Sequence, residues 1–104
     1  MALEIENIVI ESETRGPVIG GTLYYDDNSD VEVHFSNGDR YWATLFTFRN
    51  IQVLVDRHSH SGECLGGKYF WSRNMLLVTD LRPDTVKQIV HHLVGTGELF
   101  EVFE

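Results

Sequence analysis

The dipeptide Asn37-Gly38 lies between two runs of alternating character, Val31 to Ser36 and Arg40 to Thr47. A type I′ turn needs positive φ at both central residues, which Asn and Gly tolerate best, so this stretch predicts a β-hairpin. A two-residue loop pairs Ser36 with Asp39, Phe35 with Arg40, His34 with Tyr41 and Val33 with Trp42. Val31, Val33, Phe35, Trp42 and Phe46 then share the core face. Glu32, His34, Tyr41 and Ala43 share the other, which meets solvent or a partner. A longer loop would change the register and reassign these faces, because side chains alternate with a period of two along a strand.

Upstream of the hairpin the pattern stays strand-like. Leu3 to Glu11 sets Leu3 and Ile5 against Glu4 and Glu6, then shifts phase to Ile8 and Ile10, which predicts a bulge near Asn7. Arg15-Gly16-Pro17 breaks the chain, Val18 to Tyr25 resumes it with a bend at Gly20-Gly21, and Asp26 to Asp30 reads as a turn. After Thr47, a good helix cap, the period becomes helical: Ile51, Leu54 and Val55 share one side, and Arg57 and His58 stand near the carboxyl end. Ser59 to Gly67 reads as a polar, glycine-rich loop, followed by short strands at Tyr69 to Trp71 and Met75 to Thr79. Pro83 suits a first helical position, and Val86, Ile89, Val90 and Leu93 form a buried stripe ending at Gly95 or Gly97. Leu99 to Phe103 is expected to form a short edge strand. Consecutive strands followed by mixed elements predict an α+β fold, a mainly antiparallel sheet with two helices packed on one face.

The 104 residues amount to a single domain, which at this size buries roughly two thirds of its unfolded surface. The lone Cys64 cannot form an internal disulfide, and MALEIENIVIESE lacks both a basic n-region and a useful h-region, so the expected location is the cytoplasm. The net charge of −8 falls within the first 39 residues, where nine acids face only Arg15. A field of that sign attracts cationic partners and repels nucleic acid and anionic membrane.

Asp56, His58, His60 and Cys64 are the one cluster of metal-type ligands, but a single thiol with no distant His pair matches no zinc spacing, so no metal and no cofactor are expected. His91 and His92 point about 100° apart on a helix and cannot form an i, i+4 ligand pair. His34, near Tyr41 and Glu32, reads as a surface pair, since no aligned nucleophile accompanies it. Cys64 beside Glu63 is no activated thiol, and no nucleophile elbow is present. Gly66-Gly67-Lys68 lacks the upstream Gly and the following Ser or Thr of a phosphate loop. Trp42, Tyr69, Phe70 and Trp71 could stack nucleobases, but no basic groove accompanies them, and core packing is the expected role. No active site is legible, and the chain reads as a non-enzyme.

The stretch from Gly62 to Val78, GECLGGKYFWSRNMLLV, with the helix after it resembles a pattern in small uncharacterised bacterial proteins of about this length. In overall style, an acidic α+β chain without catalytic signatures, it also resembles immunity proteins of contact-dependent inhibition and related polymorphic toxin systems. That resemblance implies a stoichiometric inhibitor that covers the active site or groove of a cognate toxin, often a basic nuclease. On this reading Asp26, Asp27, Asp30, Glu32 and Asp39 supply the contacts, with His34 and Tyr41 as polar and aromatic anchors. The rival classes are a regulatory or structural interaction domain and a small enzyme using the His58 to Cys64 loop.

Overall fold

A computed structural model describes residues 4–15 and 27–104. The expected strand at Val18 to Tyr25, the break at Gly16-Pro17, and Leu3 and Asp26 lie outside these residues. Four strands form one sheet in sequence order: β1 (Ile5–Ile10), β2 (Asn28–Phe35), β3 (Arg40–Thr47) and β4 (Met75–Val78). A 3-10 turn, Glu11–Arg15, follows β1. Helix α1 (Phe48–Ser61) follows β3, and α2 (Pro83–Thr96) and α3 (Leu99–Val102) follow β4. The first three strands pair antiparallel and β4 pairs parallel to β3, so the chain is α+β with a mostly antiparallel sheet. The parallel pairing requires a crossover, which α1 provides.

The bulge in β1 falls at the expected place. Ile5 pairs with Phe35 and Asn7 with His34, which leaves Glu6 as the extra residue. Strand β2 starts earlier than expected: Asn28, Ser29 and Asp30 belong to it and not to a turn. Ser29 is fully buried, yet its hydroxyl accepts the Ser12 amide at 2.8 Å, so a small satisfied polar group extends the inward period of Val31, Val33 and Phe35.

The hairpin loop is one residue longer than a type I′ turn. Among Asn37 and Gly38 only Gly38 takes positive φ, +93°. Phe35 N–H donates to Asp39 O at 2.9 Å and Gly38 N–H to Phe35 O at 3.0 Å, closing a three-residue loop with a glycine bulge. The register becomes Val31 with Ala43, Glu32 with Trp42, Val33 with Tyr41 and His34 with Arg40. This corrects the expected faces. Tyr41 and Ala43 point inward, and Trp42 points outward at 38% exposure.

The core occupies the inner face, where Val31, Val33, Phe35, Ala43 and Leu45 meet Val86 and Val90 of α2 and Leu99 of α3, all at 0–1% exposure. Burying each of the larger side chains contributes about 1.5–3 kcal/mol. Two helices thus cover one face, but they are α2 and α3. Helix α1 contributes nothing to this cluster: it buries Asn50 and His58, and Ile51, Leu54 and Val55 are only half-buried. It begins where the cap predicts, since Thr47 Oγ1 accepts the Asn50 amide at 3.0 Å. Helix α2 has Pro83 in its first turn and ends at Gly97, whose φ is +81°.

Leu99 to Phe103 is not an edge strand. Leu99 and Phe103, one helical turn apart, are both buried, and Phe103 N–H donates to Leu99 O at 2.8 Å. Only Glu104 behaves as a strand, exchanging both backbone hydrogen bonds with Trp42 at 2.9 and 3.0 Å. Tyr69 to Trp71 also forms no strand.

Candidate functional site

The second face of the sheet carries Asp30 and Glu32. Cross-strand register sets its rows. Asn7, His34 and Arg40 lie opposite one another, as do Val9, Glu32 and Trp42, and Asp30 opposes Thr44. At its far end, buried Phe46 is covered by Phe70 at 5.2 Å between ring centroids, and Phe70 stacks on His58 at 6.1 Å. The centre is open: Val9 is 37% exposed and Trp42 38%.

Asp30 is exposed, and its Oδ1 accepts the Thr44 hydroxyl at 2.6 Å. Its other carboxylate oxygen has no partner among the described residues. Glu32 Oε1 meets His34 Nε2 at 2.9 Å and lies 3.9 Å from Arg40 Nη1, so two cationic or polar groups already address it. Val9, Glu11, Asp30, Val31, Glu32 and Trp42 line a groove of about 360 Å³ across these rows. Among the described residues, Glu11, Asp30 and Glu32 border it and no basic side chain does.

The expected binding residues therefore divide. Asp30, Glu32 and His34 share the outer face. Asp27 is half-buried just before β2, where its carboxylate accepts the Asn28 amide at 2.8 Å. Asp39 is spent on the hairpin loop, holding the Asn37 side-chain amide at 3.0 Å. Asp26 lies outside the described residues. Tyr41 is on the opposite face, packed edge-on against Phe35 at 5.7 Å and Phe100 at 5.1 Å, and anchors the core rather than a partner. Trp42 takes its place. Sequence reasoning missed Trp42, Val9 and Glu11 because the outward position of Trp42 depends on a loop length that Asn-Gly leaves open.

A larger hollow, about 540 Å³, is lined by α1 and by Gly66 and Gly67 of the segment after it. Arg49 and Asp56 both line it, so it has no preference of sign. That following segment, Glu63–Gly67, is a left-handed turn, with φ of +51°, +53° and +70° at Cys64, Leu65 and Gly66. His58 Nε2 lies 3.3 Å from Glu63 Oε2, and His58 Nδ1 is buried with no partner. His60 Nδ1 lies 2.9 Å from the Asp56 carbonyl oxygen. Among the described residues no three His, Cys, Asp or Glu side chains gather as metal ligands would. The aromatics expected to serve the core do not join its cluster: half-buried Phe70 packs on Phe46, Tyr69 is 49% exposed and Trp71 69%.

Among the described residues of the outer face, the His34 ring meets the Glu32 carboxylate. No helix of the described residues is long and apolar enough to cross a membrane. No protein-family model matches the chain, and neither a curated protein nor a solved structure is similar to it.

Proposed function

We propose that this chain is a stoichiometric inhibitor that binds a basic protein through the outer face of its sheet, in the manner of immunity proteins that neutralise a cognate toxin. The observation that carries this reading is the open row Val9, Glu32 and Trp42 with Asp30 beside it, an aromatic anchor bordered by carboxylates. Binding hot spots favour Trp in such settings, while surrounding charges set partner choice and encounter rate. Carboxylates in a row resemble phosphates to a cationic groove, so a nuclease active site is a suitable target. The same charge disfavours nucleic acid and anionic membrane as partners. In this role the chain acts in the cytoplasm and uses no metal or cofactor.

The test begins with capture from the source cell, followed by purification of the bound protein and an assay of its own activity. One equivalent of this chain should abolish that activity, and Trp42→Ala should weaken binding about 30-fold, the equivalent of 2 kcal/mol. A captured protein that is acidic, or that keeps its activity when saturated with the chain, overturns the proposal.

A further inference from the structure

We infer that the groove on the outer face takes an arginine side chain of the partner, with the guanidinium held between the Trp42 indole and the Asp30 carboxylate; this rests on the inhibitor reading above. Among the described residues, the groove combines an aromatic wall with Asp30 and Glu32, Glu11 at its border, and no cation. These carboxylates do not have equal roles. Glu32 Oε1 meets His34 Nε2 at 2.9 Å and lies 3.9 Å from Arg40 Nη1, so a cation of the protein already stands beside it. Asp30 has one oxygen fixed by Thr44 at 2.6 Å, and its second oxygen is unclaimed. A carboxylate immobilised through one oxygen is preorganised to accept through the other, because ordering costs are already met in the free protein.

The indole selects the form of the cation. Glu32 sits directly opposite Trp42 and Asp30 belongs to the next row, so carboxylate and ring lie on neighbouring positions of one face. A planar guanidinium can lie against an aromatic ring while donating from its edge to a carboxylate, whereas an ammonium offers only a point charge. Val9 completes the row on the other side of Glu32 and offers apolar surface to the methylene stem.

The blocked tripeptide Ac-Ala-Arg-Ala-NH2 tests this without any partner, followed by the Trp42 indole N–H and Thr44 amide resonances. Versions with lysine and with neutral, isosteric citrulline serve as comparisons. The arginine peptide should shift both resonances saturably. Affinity should fall about fivefold or more for the citrulline peptide, and by a similar factor for Asp30→Asn. The lysine peptide should bind between the two. Equal shifts with arginine and citrulline, lysine as tight as arginine, or no saturable shift at Trp42 would each overturn the guanidinium site. Those results leave capture of a basic partner to be judged by its own experiment, whereas a protein that binds the arginine peptide but captures only acidic partners removes the inhibitor reading. Asp30 is exposed and the citrulline comparison needs no mutation, so the outcome does not depend on a variant that fails to fold.

Discussion

Adjacent residues Tyr41 and Trp42 decide which side of this protein is inside. Either could serve a core, and the two-residue loop favoured by Asn-Gly assigns Trp42 to it. The bulge at Gly38 adds one residue and inverts the assignment, so Tyr41 joins Phe35 and Phe100 while Trp42 turns outward. Ala43 is the cleanest reporter, because it is fully buried on the inner face although the shorter loop would expose it. Ala43→Glu inserts a charge and four extra heavy atoms into close-packed core and should cost at least about 4 kcal/mol. Trp42→Gln, at a position already 38% exposed, should cost about 1–2 kcal/mol. Denaturant melts rank the pair, and a larger loss at Trp42 than at Ala43 would restore the shorter loop. The candidate site is only partly legible for the same reason: Glu32 and His34 follow from alternation and Asp30 from charge alone, but their aromatic neighbour does not.

Among the elements, the left-handed turn after α1 departs furthest from what residue preferences suggest. Gly62 ends the helix at φ +85°, its amide bonding the His58 carbonyl at 2.9 Å, and the chain then doubles back along α1. Cys64 and Leu65 carry positive φ without being glycine, at a cost of about 1 kcal/mol each. Leu65→Gly should therefore stabilise the protein by about 0.5 kcal/mol, after allowing for the greater freedom of Gly in the unfolded chain. Gly67 is the opposite case. A Cβ there would collide with the Val55 carbonyl oxygen at φ +83°, so Gly67→Ala should cost about 3 kcal/mol. Thermal melts that rank Leu65→Gly below the parent, or Gly67→Ala level with it, would contradict this packing. Elements with their own punctuation were readable in advance: α1 from its Thr47 cap, α2 from Pro83, its apolar stripe and Gly97, and β1 from its phase shift at Asn7. The turn was not, since no propensity predicts left-handed Cys and Leu. Met75–Val78 gave no direction either, because four apolar residues pair as well parallel as antiparallel. Leu99–Val102 carried apolar residues consistent with either period, and burial of Leu99 and Phe103 one helical turn apart decided for helix.

At the scale of the whole molecule, charge and covering divide the protein in the same sense. Helices α2 and α3 close the inner face of the sheet, and its outer face keeps an open centre. The strands that build that open face come largely from the first 39 residues, which hold the entire net charge, while residues 40–79 carry five bases against Asp56 and Glu63. On the proposed reading, a partner meets a field that is negative over the sheet and falls off toward α1. Such a field acts chiefly on encounter, because exposed charges interact across solvent with a Debye length of about 8 Å at physiological salt. Association with a purified basic partner should therefore slow about tenfold or more between low and roughly half-molar salt, with a much smaller change in dissociation rate. Asp30→Asn combined with Glu32→Gln should flatten that salt dependence while leaving the melting midpoint nearly unchanged, since both side chains lie on the solvent side of β2. Stopped-flow mixing at several salt concentrations separates the two rates. An association rate indifferent to salt would show that apolar contact around Trp42 alone brings the partner in, and that the segregated charge serves solubility.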